Sequence, residues 1–293
     1  MAAMAKMYWL HALTALHVGA GHGVGFIDLP VMREKTTNWP LVPGSTVKGV
    51  MRDYFMREGS YDGLLTTAFG QEGEDSAQAG SLVFTDARLV LLPVRSLYGT
   101  FAYVTSPMAL VRLKRDLLAA RETNVPADPA ADVEDVHQPA QSKLVAQDGK
   151  VYLEDLDFAA QECPVAHEWA QFLAKVLFAS DATWRSLFQA RFAILPNDSF
   201  DFLCETGTEV NARVRIDDDL KVVADGALWY EESLPAETVL AGVAWCDRVF
   251  GESGFTSEQI LNTFSKEEID CQIGGKATVG KGRVRCLFTG QGE

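Results

Sequence analysis

The chain of 293 residues is 47% hydrophobic and 10% aromatic, enough apolar material for a substantial core, and this excludes an intrinsically disordered protein. Its 26 Lys and Arg against 40 Asp and Glu give a formal charge of −14, which argues against a sequence-blind binder of free nucleic acid. The charge is segregated, however: residues 31–57 carry five basic against two acidic side chains and residues 88–121 six against one, while residues 122–162 carry ten acids against two lysines. A basic groove on an acidic body is therefore expected. The five cysteines, at 163, 204, 246, 271 and 286, are irregularly spaced without a Cys-x-x-Cys pair, a pattern of reduced, buried thiols in a cytoplasmic protein.

In chain order, Met7 to Val18 has two largely apolar alternating sets (Leu10, Ala12, Leu16 and Val18; Trp9, Leu13 and Ala15), which predicts a central strand covered on both faces. The early apolar run is too short to span a bilayer, so no membrane role is expected. A loop with glycines at 19, 21, 23 and 25 follows, ending at Asp28, and Ser45 reads as the N-cap of a helix running to Glu58. A shorter helical piece runs to Phe69, and strands are expected over Ser81–Pro93 and Leu97–Val104, with a break near Arg95. Ser106-Pro107 opens a helix reaching about Ala120. Residues 122–149, poor in large apolar side chains, read as a long insertion or mobile arm.

Further on, His167–Ala179 and Asp181–Ala190 are expected helical, Arg191–Leu195 extended, and Asp198–Leu203 a short helix. Val210, Ala212, Val214 and Ile216 alternate with Glu209, Asn211, Arg213 and Arg215 before an acidic tip at Asp217–Asp219 and an extended run from Lys221 to Ala224, which predicts a hairpin with one polar face. Val239–Phe250 reads as a core strand, Ser257–Phe264 as a helix and Thr278–Phe288 as the last strand. Without regular βαβ alternation, the expected class is α+β, with helices on one side of a sheet.

Four constellations carry chemistry. Asp28, beside a flexible loop, can hold a divalent cation or orient a 2′-hydroxyl for attack on the adjacent phosphorus; equally, it suits a turn aspartate before Pro30. His17 and His22 are an acid–base pair for metal-free RNA cleavage, or a strand-end and a surface histidine. Lys48 and Arg52, four apart, share one helix face near a phosphate-favouring helix start, or form a solvated charged face. The segment Ile273-Gly274-Gly275-Lys276-Ala277-Thr278-Val279-Gly280-Lys281-Gly282-Arg283 lacks the Walker order, since Gly282 follows Lys281, and reads as a backbone cradle for RNA phosphates or a plain turn.

Taken together, Leu16-His17-Val18-Gly19-Ala20-Gly21, Asp28-Leu29-Pro30, Pro43-Gly44-Ser45-Thr46-Val47-Lys48-Gly49 and Ile273-Gly274-Gly275 resemble the repeat-associated CRISPR protein (RAMP) superfamily, and within it the backbone subunits of type III-B effectors. Phe84-Thr85-Asp86-Ala87-Arg88, Arg112-Leu113-Lys114-Arg115-Asp116-Leu117 and Arg213-Val214-Arg215-Ile216-Asp217 extend the likeness along nearly the whole chain. The resemblance implies a single domain with a ferredoxin-like, RNA-recognition-type palm, a finger-like insertion over about 70–160 and a protruding thumb-like hairpin over about 205–225. It further implies head-to-tail copies on a CRISPR guide RNA, other Cmr-type subunits as partners, and Mg²⁺ or another divalent cation for cleavage of single-stranded target RNA. Asp28 occupies the position of the family's catalytic aspartate. His17, Ser45, Lys48, Arg52, Gly274, Gly275, Lys276, Lys281 and Arg283 are the expected RNA-contacting residues. Glu205, Glu209 and Asp217–Asp219 make the hairpin less basic than an RNA-contacting element would suggest.

Overall fold

Strand Met4–Ala12 lies in the interior of the sheet, paired on both sides, and Met7, Tyr8, Trp9 and Leu10 have no exposed surface. The computed structural model describes residues 4–290 except 22, 24, 60, 62, 72–76, 217–222, 252–253 and 267, so His22 and the acidic tip Asp217–Asp219 lie outside the described residues. The first strand pairs antiparallel with Val239–Cys246 on one side and Arg283–Thr289 on the other, and Val239–Cys246 pairs in turn with Ala87–Arg95. With helices Gly44–Glu58 and Ser257–Phe264 the chain runs β-α-β-β-α-β, the four strands standing in the spatial order fourth, first, third, second. That is the ferredoxin-like arrangement expected from the sequence. Glu268–Gln272 extends the sheet beyond the last strand, and Phe101–Thr105, Phe192–Ile194, Val136–Gln138, Leu156–Glu162 and Lys150–Leu153 extend it the other way. The last two of these, and the short strand before them, were not foreseen.

Helices cover both faces, not one. Val47, Met51, Phe55, Ile260 and Phe264 pack with Leu10 and Leu240 on one face; Leu110, Leu113, Leu117, Trp169 and Leu173 pack with Trp9, Tyr103 and Val239 on the other. The reason is already in the first strand: successive side chains point to opposite faces, so two apolar sets need two covers. The second cover comes from Pro107–Ala119 and Pro164–Leu177, both inserted between the second and third core strands. Ser106 caps the first of these as expected, its Oγ accepting from the Ala109 N–H at 3.3 Å.

Residues 122–149 are not a free arm. Val136 and Leu144 are fully buried, and the Trp169 indole N–H donates to the Ala127 carbonyl at 2.9 Å. A few well-placed apolar residues suffice because strand Val136–Gln138 joins the sheet, giving the polar backbone its partners.

The hairpin Glu209–Ile216 with Val223–Ser233 forms a separate two-stranded sheet. Its alternation does not mark a core: Val210, Val214 and Ile216 are 43%, 48% and 57% exposed. Among the described residues, no helix is long and apolar enough to cross a membrane. The five cysteines are all unpaired, and Cys204, Cys246 and Cys286 are buried.

Candidate active site

Beyond Ala12 the chain leaves the sheet instead of continuing extended to Val18. The Leu16 N–H donates to the Leu234 carbonyl at 2.8 Å, and the glycine segment then folds back on itself through Met32 N–H to Val18 O (2.7 Å) and Ala20 N–H to Pro30 O (3.0 Å). At the tip, the Gly23 N–H donates to the Asp28 carbonyl at 2.9 Å. A Cβ on Gly23 would stand 2.2 Å from the Ile27 carbonyl oxygen, so only glycine closes this turn without displacement.

This closure presents Asp28, which is exposed, to the base of the hairpin. Its Oδ2 accepts from the Tyr230 backbone N–H at 2.8 Å. Main-chain bonds on either side, Leu29 N–H to Tyr230 O and Glu232 N–H to Leu29 O, both 3.0 Å, clip the loop onto the hairpin strand. Among the described residues no hydrogen bond reaches Oδ1. The carboxylate is thus oriented through one oxygen and available through the other.

His17 is brought close to the C-terminal glycine segment, which lies more than 250 residues away in sequence. The Gly275 N–H donates to the His17 carbonyl at 2.9 Å, and a Cβ on Gly274, where φ is 77°, would come within 2.2 Å of that oxygen. The imidazole itself is 6% exposed and lies beneath Gly19 and Gly275. Its Nδ1–H donates to the Glu232 carbonyl at 2.6 Å, since a carbonyl can only accept. His17 therefore ties the two glycine segments to the hairpin base.

Glu231 and Glu232, both 2% exposed, are the residues that sequence reasoning missed. As neighbours in a strand they face opposite ways, and each collects its own partners. Glu232 accepts from Arg33 Nη2 at 2.5 Å, from Thr208 Oγ1 at 2.9 Å and from the Val31 N–H at 2.9 Å. Glu231 meets Lys276 Nζ at 2.7 Å, the Trp229 indole N–H at 2.8 Å, Arg213 Nε at 3.3 Å and Lys281 Nζ at 3.9 Å. Burial pushes the Glu231 carboxyl up, but the bonds from Lys276 and Trp229 and the charges of Lys276 and Arg213 outweigh it and bring the value to about 2. The available signal was the pair of adjacent acids inside an extended aromatic run, Leu228-Trp229-Tyr230-Glu231-Glu232.

The remaining expected contacts divide. Lys281 is 7% exposed and donates to Ser233 Oγ at 2.7 Å, so it braces the glycine segment from within, and burial lowers its ammonium pKa. Gly274, Gly275 and Arg283 are exposed. Lys48 turns back to the Leu82 carbonyl at 2.7 Å, and its pKa is lowered by burial, while Arg52 is exposed. Neither is hydrogen-bonded or ion-paired to the Asp28–His17 cluster.

Ser45 is not the N-cap. The helix begins at Gly44, whose N–H donates to Asp86 Oδ1 at 2.8 Å. A carboxylate just before strand Ala87–Arg95 thus already satisfies one N–H at the helix start where a phosphate was expected, and faces the same dipole. The basic sequence blocks likewise do not make one basic surface: Arg112 and Arg88 pair with Glu34, Arg88 also with Asp116, and Arg33 with Glu232. Residues close in sequence face different partners once folded.

The fold has close counterparts among known proteins. The RAMP superfamily model matches residues 9–285. A protein of Pyrococcus furiosus named CRISPR system Cmr endoribonuclease Cmr4 is 33% identical over 96% of this chain and 94% of its own length, and the CMR subunit Cmr4 of Saccharolobus solfataricus is 24% identical over 95% and 94%. The crystal structure of oligomeric Cmr4 from Pyrococcus furiosus superposes with a TM-score of 0.76 at 26% identity, covering 99% of each chain. A chain of the type III-B Cmr-beta complex bound to cognate target RNA shares the fold with a TM-score of 0.75 at 23% identity, over 98% of this chain and 97% of that one. With its ferredoxin-like core, its paired glycine segments and this full-length agreement, the chain belongs to the RAMP superfamily.

Proposed function

We propose that this chain is a backbone subunit of a cytoplasmic type III-B CRISPR ribonucleoprotein, binding guide RNA as one of several head-to-tail copies beside other Cmr-type subunits and cleaving complementary target RNA. The observation that carries this reading is the Asp28 carboxylate, exposed on a glycine loop and held to Tyr230 by one oxygen. That geometry supports in-line transfer: a target 2′-hydroxyl attacks the adjacent phosphorus while Asp28 orients it or accepts its proton, a 2′,3′-cyclic phosphate forms, and the P–O bond to the 5′-oxygen of the next nucleotide breaks, that oxygen taking a proton from water. His17, buried and bonded to Glu232, acts by fixing the loop.

Among the described residues no three His, Cys, Asp or Glu side chains converge as a metal site. Mg²⁺ commonly takes only one or two protein carboxylates together with phosphate oxygens and water, so Asp28 fits such a donor set completed by RNA. A bound divalent ion would offset the charge developing on the phosphate. The exposed apolar set of the hairpin, Val210, Val214 and Ile216, supports a thumb-like role in wedging a guide–target duplex, with the residues of about 70 to 160 that lie outside core strand Ala87–Arg95 as finger-like insertions in a single domain. Gly274, Gly275, Lys276, Arg283 and Arg52 would contact RNA backbone, and Lys281 would support them.

The test is Asp28→Asn in the assembled, guide-loaded complex. Asparagine keeps an acceptor for the Tyr230 N–H but loses the charge. Target cleavage should fall by about 10²- to 10⁴-fold while assembly and target binding persist. Undiminished cleavage would overturn the catalytic assignment and leave a purely structural RNA-binding subunit.

A further inference from the structure

Phe26 is 75% exposed, the most exposed of the large hydrophobic side chains among the described residues. It stands two positions before Asp28, and its ring packs on that of Tyr230 with centroids 4.7 Å apart and planes inclined by 31°. Tyr230 is the residue whose backbone N–H holds the Asp28 carboxylate. A loop built from glycines has no core of its own in which to hide a phenyl ring, and leaving this much apolar surface in water forgoes the burial that ordinarily stabilises an aromatic side chain. One face of the ring is held in place by Tyr230, the residue that also holds the carboxylate, and most of the remaining ring surface is open.

We propose that Phe26, backed by Tyr230, is a stacking platform for a nucleobase of the target RNA flanking the cleaved phosphate, and so positions that nucleotide for the attack assisted by Asp28. The role rests on the RNA-cleaving reading of Asp28. An aromatic face accepts any of the four bases, so the platform adds position without sequence preference, as a guide-directed nuclease requires. In-line attack needs the reacting atoms held close and aligned, and fixing the base fixes its sugar. Phe26 touches no reacting atom; it is a positioning residue. The extended pairing of guide and target dominates affinity, so losing one stacked base should be read in the cleavage rate and not in target binding.

The experiment uses the assembled complex under single-turnover conditions. Phe26→Ala should slow cleavage by about 5- to 150-fold, the range of one base–aromatic stack, with target affinity unchanged. Phe26→Trp should restore most of the rate, whereas Phe26→Leu, which keeps apolar contact with Tyr230 but has no ring, should behave like alanine. In the wild-type complex, an abasic nucleotide on one side of the scissile phosphate should slow cleavage to the same degree, and in Phe26→Ala the same abasic target should give no further loss. As a readout independent of catalysis, 2-aminopurine at that nucleotide should be quenched on binding to wild type and to Asp28→Asn, but not to Phe26→Ala. Equal rates for intact and abasic targets in the wild-type complex, full activity of Phe26→Leu, or quenching unaffected by Phe26→Ala would each overturn the proposal. Should Asp28→Asn cleave like wild type, the catalytic reading fails by itself, and the quenching still decides the stacking.

Discussion

Glu231 offers the sharpest test of how the site is held together. Its carboxylate joins Lys276 (2.7 Å), the Trp229 indole (2.8 Å) and Arg213 (3.3 Å), with the Lys281 ammonium, 8% exposed, at 3.9 Å. Replacing it by alanine removes the counter-charge of a lysine that water can scarcely reach. Breaking a buried pair from one side costs ~3–5 kcal/mol, because the partner is left charged and unpaired. For a chain of this size that corresponds to a fall in Tm on the order of 5–15 °C.

The pH dependence follows with its sign. The Glu231 carboxyl lies at about 2 in the folded chain against an ordinary 4.5, so its contribution is fully present above pH 4.5 and is lost as the pH falls from there toward 2. The difference is worth ~3 kcal/mol at most, and ~2 kcal/mol once solvent screening around the partly exposed Lys276 is allowed for. Thermal melts of wild type, Glu231→Ala and Glu231→Gln between pH 7 and pH 3 check both parts. Glu231→Gln retains an acceptor for Trp229 and should fall between the other two, and both variants should lack this component of acid sensitivity. A Glu231→Ala protein melting within a degree of wild type at pH 7, with the same loss of stability in acid, would refute the reasoning.

Two further outcomes follow from the same geometry. Gly23→Ala must relieve a 2.2 Å approach to the Ile27 carbonyl, so the turn opens and Asp28 shifts; single-turnover cleavage should drop by about tenfold or more, as misplacement near 1 Å suffices for such losses, while guide binding by filter assay stays unchanged. Val214→Asp alters a side chain already 48% exposed, so the unfolding free energy should change by no more than ~0.5 kcal/mol. If the hairpin wedges into a duplex, the same variant should nevertheless impair target cleavage, and wild-type rates would count against the thumb-like role.

Much of the core was legible because it is local and periodic. The Ser-Pro start at Ser106 and Pro107 satisfied a cap and a missing donor at once, and the double apolar set of the first strand reported burial on both faces. At the hairpin, periodicity reported the pairing but not the surroundings: Val210, Val214 and Ile216 alternate as they would over a core yet remain exposed, because alternation records which side chains share a face and not what covers it. At Ser45 the local signal was overridden from a distance: the helix starts one residue earlier, at Gly44, whose N–H is bound by Asp86, forty-two positions further along the chain.

The sequence by itself determined the mixture of strands and helices, the glycine loops that permit close backbone approach, and Asp28 as the candidate carboxylate, since these depend on residue type and spacing along the chain; the ferredoxin-like order entered only as what the family resemblance implied. Only the tertiary structure decided that His17 is buried under glycines, that Lys281 and Glu231 form a buried hub, and that Arg33, Arg88 and Arg112 are spent on internal acids. Only there, too, do Phe26, Asp28 and Tyr230 meet. The physical reason is common to all of these: charge compensation and ring packing act over a few ångströms of space, between residues that the chain separates by tens to hundreds of positions, and folding alone sets those distances.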